Sequence, residues 1–365
     1  MNKKTISLVR DRVISDLLPW FRTNQRKMPW RNNRTPYRVW ISELMLQQTR
    51  VDQATPYFNR FIKRFPSLRS LAKASQEEVL KQWEGLGYYS RARNLHKAAQ
   101  LIATEQGGRF PKTYEECLAL PGIGPYTAAA IGSLAFNLDL AVVDGNVIRV
   151  LARLFAYGEM TQRSVAKKQF QSLADQLLPQ GSAGDYNEAM MELGATICLP
   201  KNPNCTRCPM ATVCLGFKQG NPTAFPVKQP RKKVPHLVVG AAVVVGKSGK
   251  ILIAQRREKE MLGGLWEFPG GKQEKGETIQ ACIARELKEE LGIEIEVGAF
   301  LVTVHHAYSH FTMELHTYFA KIISGKPHPI ECQDFRWVEL STLRKFPYSK
   351  ADLYIIDELE KKETR

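Results

Sequence analysis

What most limits the fold of this chain is a change of hydrophobic period part-way along it. From about Ser7 to Leu215, apolar residues recur at three- and four-residue intervals, as in Glu77–Trp83, Arg91–Thr104, Tyr126–Ala135 and Ser164–Leu178. That spacing predicts amphipathic helices. Beyond it, Leu237–Val245 and Ile251–Gln255 flank a Gly246-Lys247-Ser248-Gly249 turn, and Val302–Val304 and Glu314–Lys321 read as further strands. One long helix, Thr278–Leu291, interrupts these strands. Between the two regimes, Gly216 to Pro235 holds four prolines, two glycines and Arg231-Lys232-Lys233 without periodicity. This stretch reads as an exposed basic linker. The expectation is a multidomain chain, all-α first and α/β second, and 365 residues suffice for two or three cores.

Charge follows the same division. Residues 1–235 carry 34 Lys and Arg against 17 Asp and Glu, whereas residues 236–365 carry 18 against 19. The whole excess of +16 therefore belongs to the helical part. Such a footprint suits a polyphosphate partner, although a plain basic surface fits the charge equally well. No apolar run approaches membrane-spanning length, and Lys3-Lys4 is followed by no apolar signal core, so a cytoplasmic or nucleoid-associated monomer is expected.

Four of the seven cysteines fall in Cys198-x6-Cys205-x2-Cys208-x5-Cys214. Without a secretion signal, such clustering points to metal ligation, and four thiolates suit either a structural zinc or an iron–sulfur cubane. Cys117, Cys282 and Cys332 stand alone and read as buried thiols. Lys201 and Arg207 lie in the cysteine loop, where they would meet a phosphate.

Gly122-Ile123-Gly124 forms a tight turn between two helical stretches, with backbone N–H groups free to approach a phosphate. Twenty residues after Gly124 comes Val142-Val143-Asp144-Gly145-Asn146, whose aspartate alone would read as a helix N-cap. The pair, in this order, resembles the helix–hairpin–helix glycosylase superfamily, the endonuclease III fold. That resemblance places Asp144 at the mouth of a cleft between two helical domains. The 6-2-5 cysteine spacing matches the [4Fe–4S] loop of the same superfamily rather than paired zinc knuckles.

Tyr126 stands where the lyase members have a nucleophilic lysine. It cannot form a Schiff base, so a monofunctional hydrolase is favoured over an endonuclease III-type pyrimidine glycosylase. Glu43 sits in an apolar helical run, where desolvation would keep it protonated; a buried ion pair with arginine is the plainer reading of such a residue. The strings Ser42-Glu43-Leu44-Met45-Leu46-Gln47-Gln48-Thr49 and Gly85-Leu86-Gly87-Tyr88-Tyr89-Ser90-Arg91 resemble the adenine DNA glycosylases. The resemblance extends over essentially the whole chain.

It implies excision of adenine opposite 8-oxoguanine or G in double-stranded DNA. Glu43 would be the acid and Asp144 the stabilising carboxylate, with Tyr126 and Asn146 orienting them. Arg26, Arg31 and Glu188 would border the adenine pocket, and Gln48, Thr49, Leu86 and Tyr88 would fill the gap in the duplex. The implied partition is a cluster-bearing domain at 1–29 and 136–215, a six-helix domain at 30–135, a linker at 216–235 and a final domain at 236–365.

That last part holds Gly271-x5-Glu277-x7-Arg285-Glu286-Leu287-Lys288-Glu289-Glu290-Leu291-Gly292, which looks like a complete Nudix box. Glu286, Glu289 and Glu290 share one helix face and would hold Mg²⁺ against a diphosphate. In adenine glycosylases such a domain generally reads 8-oxoguanine and has lost these acids; here they remain. Lesion reading through Tyr308-Ser309-His310 is the favoured expectation, and hydrolysis of 8-oxo-dGTP the alternative. A non-catalytic iron–sulfur DNA-binding protein is the rival of a different class.

Overall fold

The computed structural model describes residues 2–227, 229, 233–308 and 310–363. The chain divides into two compact units, residues 1–69 with 98–231 and residues 70–97 with 232–365.

The first unit is helical, and its helix starts follow from local chemistry. Thr35 caps Pro36–Leu46 by accepting from the Arg38 N–H at 3.3 Å, with proline at the first helical position. Thr113 and Glu116 form a capping box for Tyr114–Leu118. Gly122, at φ +75°, turns the chain from that helix toward Pro125–Phe136, whose N-cap is Gly124. Helices Gly145–Leu154, Ser164–Leu177 and Ala183–Thr196 pack with Lys3–Arg12 around Val13, Phe21, Leu151, Phe170, Tyr186 and Leu193. Each such side chain contributes about 1.5–3 kcal/mol of burial.

The stretch read as an exposed linker begins inside this unit. Leu215–Lys218 is helical. A side chain at Gly216 would meet the Arg153 carbonyl at 2.9 Å, so glycine lets the strand of chain lie flat against that helix. Phe225 accepts from Arg153 Nε at 3.0 Å, and the Thr161 N–H donates to the Val227 carbonyl at 3.3 Å. Proline and glycine content signalled a break in periodicity correctly; 216–227 is largely exposed, as expected, but is tied down at Gly216, Phe225 and Val227. Arg231 and Lys232 lie outside the described residues.

The second unit contains two sheets. Strands β1 (His236–Val244), β4 (Gly270–Lys272), β5 (Glu294–Ala307) and β6 (Thr312–Ser324) form one, in the order β4-β1-β6-β5. Strands β2 (Ile251–Gln255), β3 (Trp266–Glu267) and β7 (Asp334–Val338) form the other, in the order β3-β2-β7. The central pair, β1 and β6, is parallel, while β5 and β6 make a long antiparallel hairpin with bulges near Phe300. Helix Ile279–Leu291, capped by Thr278 and ended by left-handed Gly292, covers one face through Ile283, Leu287 and Leu291. Helix Lys350–Glu363 covers the other through Ala351, Ile355, Ile356 and Leu359. Gly240, which interrupts the first apolar run, is where the chain admits this first helix: a Cβ there would lie 2.6 Å from Ile283.

Residues 70–97 belong to this unit although the sequence suggested a separate 30–135 body. Trp266 Nε1 donates to Glu77 at 2.9 Å, Arg93 to the Gly263 carbonyl at 2.6 Å, and Gln76 to Glu258 at 2.9 Å. The Arg336 guanidinium lies over both the Trp266 and Phe346 rings.

Candidate active site

In the helical unit Glu43, Tyr126, Asp144, Asn146, Arg26, Arg31, Glu188 and Thr49 line one cavity of about 590 Å³. Glu43 lies on Pro36–Leu46, 5% exposed, and accepts a 2.7 Å hydrogen bond from the Tyr126 hydroxyl. Burial pushes the Glu43 carboxyl up to about 7; the tyrosine bond opposes this, and the negative charges of Glu188 and Asp144 reinforce it. Its hydrogen-bond partner is thus a tyrosine, and the buried arginine of the plainer reading pairs elsewhere.

Asp144 is both things the sequence allowed. It caps Gly145–Leu154, accepting from the Val147 N–H at 2.7 Å, and it faces the cavity. Its other oxygen accepts from Asn146 Nδ2 at 3.0 Å. Burial raises its pKa, while these hydrogen bonds and the Arg149 charge restrain the rise. The extended run leading to it is held by buried Asn187, which accepts from the Val142 N–H at 2.9 Å and donates to the Leu140 carbonyl at 2.8 Å.

The wall opposite is an ion-pair network. Arg31 donates to Glu188 and to Glu192, at 3.0 Å each, and Arg26 to Glu192 at 2.6 Å; Arg34 also pairs with Glu188. Burial alone would raise the Glu192 carboxyl, but the Arg26 hydrogen bonds and the Arg31 and Arg26 charges hold it below the ordinary range.

Sequence reasoning picked Glu188 and missed Glu192, four residues on along Ala183–Thr196; the i, i+4 spacing was the available signal. It also missed Arg149, three residues after Asn146. Arg149 donates to Asn146 Oδ1 at 2.8 Å, to the Gly194 carbonyl at 2.6 Å and to the Cys198 carbonyl at 2.7 Å. One side chain therefore joins the cysteine loop to the group that orients Asp144.

Cys198, Cys205, Cys208 and Cys214 all line one small cavity, and Arg153 donates to Cys198 Sγ at 3.3 Å. Burial pushes Cys208 up to about 12, with the other three sulfurs adding to the rise, so thiolates here need a cation beside them. No three His, Cys, Asp or Glu side chains among the described residues are placed to hold a single metal ion. Four cysteine sulfurs on one cavity are the donor set that either a zinc ion or an iron–sulfur cubane takes. Cys117, Cys282 and Cys332 are buried, as expected.

Gln48 is exposed in a left-handed conformation at φ +60°, a strained presentation for a non-glycine residue. Neither Gln48, Gly122 nor Gly124 lines the cavity. In the second unit Tyr88 is half-buried at φ +48°, whereas Leu86 is 6% exposed and packs inward instead of projecting.

A second cleft, of about 300 Å³, is lined by Arg256, Glu267, Glu286, Glu290, Tyr308 and Asp352 among others. Of the three glutamates expected to hold Mg²⁺, Glu286 and Glu290 line this cleft, with Glu267 beside them, while Glu289 does not. Arg285 Nη1 holds both Glu286, at 2.9 Å, and Glu289, at 3.0 Å. Burial pushes Glu290 up to about 9 and Glu267 to about 7, although Arg256 grips Glu267 at 2.8 and 3.1 Å. Ser309 of the expected reading loop lies outside the described residues, and His310 is exposed.

A helical glycosylase-type unit with a paired-carboxylate cavity, followed by a Nudix-type sheet unit, defines a base-excision repair class. The family described as HhH-GPD superfamily base excision DNA repair protein matches residues 41–176, and the NUDIX domain family matches residues 240–358. The chain is 36% identical to the adenine DNA glycosylase of Mus musculus, covering 83% of this chain and 69% of the mouse protein. With that of Buchnera aphidicola subsp. Acyrthosiphon pisum it is 35% identical, over 82% of this chain and 83% of the other. A solved thermostable thymine-DNA glycosylase superposes with a TM-score of 0.54 at 31% identity, covering 58% of this chain and 98% of that one. An endonuclease III–DNA complex shares the fold at a TM-score of 0.51 and 22% identity, over 60% of this chain and 98% of that one. The chain belongs to the adenine DNA glycosylase family.

Proposed function

We propose that this protein hydrolyses the N-glycosidic bond of adenine mispaired with 8-oxoguanine or G in duplex DNA, as a step of base excision repair. The observation that carries the reading is the shared cavity of Glu43 and Asp144, one carboxyl pushed up to about 7 and the other held by two N–H donors at a helix start. Cleavage of C1′–N9 sends the bonding pair into adenine and leaves positive charge on the sugar. Glu43, protonated, donates to adenine N7 as the base departs; the Tyr126 hydroxyl orients its other oxygen. Asp144, ionised, faces the developing oxocarbenium ion, the two-carboxylate logic of glycoside hydrolysis. Water then adds at C1′, and its proton leaves to solvent through the carboxylate now left on Glu43.

Arg31 and Glu188 shape the wall on which the extrahelical base rests. Gln48, Thr49 and Tyr88 contact the opened duplex, and the Gly122–Gly124 turn takes a backbone phosphate. The four cysteines would hold a [4Fe–4S] cluster that staples the 198–214 loop, and Arg149 carries that loop's position to Asn146.

The test is adenine release from duplexes with A opposite 8-oxoguanine, G, C or T. Release confined to the first two, and abolished in Asp144→Asn with DNA binding retained, is the expected result. Release of pyrimidines, or Schiff-base trapping of a strand-cleaving intermediate, would sink it.

In the second cleft, lesion reading through Tyr308 is the favoured role. Glu267, Glu286 and Glu290 lining it beside Arg256 also favour a second reading, Mg²⁺-dependent hydrolysis of 8-oxo-dGTP. Pyrophosphate or phosphate release that disappears in Glu290→Gln would support the second reading; no release from the wild-type chain removes it.

A further inference from the structure

The turn Gly85-Leu86-Gly87-Tyr88 is gripped at both ends by backbone from far along the chain. The Tyr348 N–H donates to Glu84 Oε1 at 2.8 Å. The Tyr89 hydroxyl accepts from the Gly85 N–H at 3.0 Å and donates to the Tyr348 carbonyl at 3.3 Å. Lys81 holds Glu84 at 2.8 Å and the Phe346 carbonyl at 3.0 Å. Both backbone polar groups of Tyr348 are thus committed to residues flanking the turn.

Tyr348 is itself immobilised. It is fully buried, stacks on Phe268 and bridges to Trp266, whose N–H donates to the Pro347 carbonyl at 2.8 Å. The next residue, Ser349, donates to Asp352 at 2.7 Å, and both line the second cleft together with Tyr308. Phe346–Ser349 is therefore a strut with the turn on one side and Tyr308 on the other. The turn is conformationally loaded, with Gly85 at φ +92°, Gly87 at +73° and Tyr88 at +48°, so small changes in its anchors have leverage on Tyr88.

We infer that Glu84 and Tyr89 are positioning residues through which the Phe346–Ser349 strut ties the placement of Tyr88 to what Tyr308 contacts. The inference rests on the proposed duplex contacts of Tyr88 and lesion contact of Tyr308. It goes beyond them in making discrimination between 8-oxoguanine and G a coupled property of two separate contacts rather than of either alone.

Full-length Glu84→Ala, Glu84→Gln and Tyr89→Phe would be compared with the parent in single-turnover adenine release opposite 8-oxoguanine and opposite G. Glu84→Ala and Tyr89→Phe should lower the ratio of the two rates about five- to tenfold, the G duplex staying within about twofold of the parent. Glu84→Gln keeps an oxygen for the Tyr348 N–H and should retain most of the ratio. Glu84→Ala combined with Tyr308→Ala should cost no more discrimination than Tyr308→Ala alone. An equal fall on both duplexes, as general destabilisation gives, overturns the relay, as does an unchanged ratio in both Glu84→Ala and Tyr89→Phe. A parent chain that releases no adenine removes the function itself, and the relay with it.

Discussion

At the scale of single residues, Glu43 and Asp144 must be in opposite protonation states at the same pH. Glu43 titrates near 7 and must be protonated; Asp144 has a raised carboxyl pKa and must be ionised. The rate of adenine release should therefore be bell-shaped, falling above about pH 7 as Glu43 loses its proton and again in acid as Asp144 gains one. A single-turnover pH series reads this, and a rate that keeps rising through pH 8 would remove Glu43 as the acid. Stability carries the same signature. The folded-state pKa of Glu43 lies above its unfolded value, so its contribution is full in acid and is lost as pH rises through about 7. Glu43→Gln should consequently stabilise the fold at pH 8 by about 1–3 kcal/mol and by little at pH 4, measured by thermal melts at both.

Among elements, the junction of helices Gly145–Leu154 and Ala183–Thr196 has least room to change. A Cβ at Gly194 would lie 2.6 Å from the Asn146 Cβ, and the Gly194 carbonyl accepts from Arg149. Gly194→Ala should push Asn146 off Asp144 and lower the single-turnover rate by about tenfold or more, with little change in duplex affinity. Equal loss of affinity and rate would place the damage in the fold instead. Elements of this kind were only half legible in the sequence. Helix and strand spans were visible because periodicity is local: Ile251–Gln255 was read to the residue, and Thr278 marked its helix start. The acids were visible where long strings resemble a family. Arg149 and Glu192 were not, since their meaning lies in partners 45 to 166 residues away. The place of Glu267 beside Glu286 and Glu290 was not legible either, because helix spacing gives a shared face but not which acid a neighbouring strand brings to it.

For the molecule as a whole, charge is the simplest lever. With the positive excess confined to residues 1–235, duplex binding should weaken about tenfold or more between 50 and 200 mM salt. A titration by fluorescence anisotropy at several salt concentrations measures it; affinity indifferent to salt would contradict a phosphate-contacting surface. The other whole-molecule property is the pairing of residues 70–97 with 232–365, which composition could not reveal, because it depends on contacts such as Glu77 with Trp266 and Glu84 with Tyr348. That pairing has a consequence for biogenesis. A chain emerging at roughly 5–20 residues per second presents helix Gln76–Trp83 on the order of ten seconds or more before Tyr348 exists to receive it. During that interval the nascent chain must keep those helices from finding a substitute for a neighbour the ribosome has not yet made.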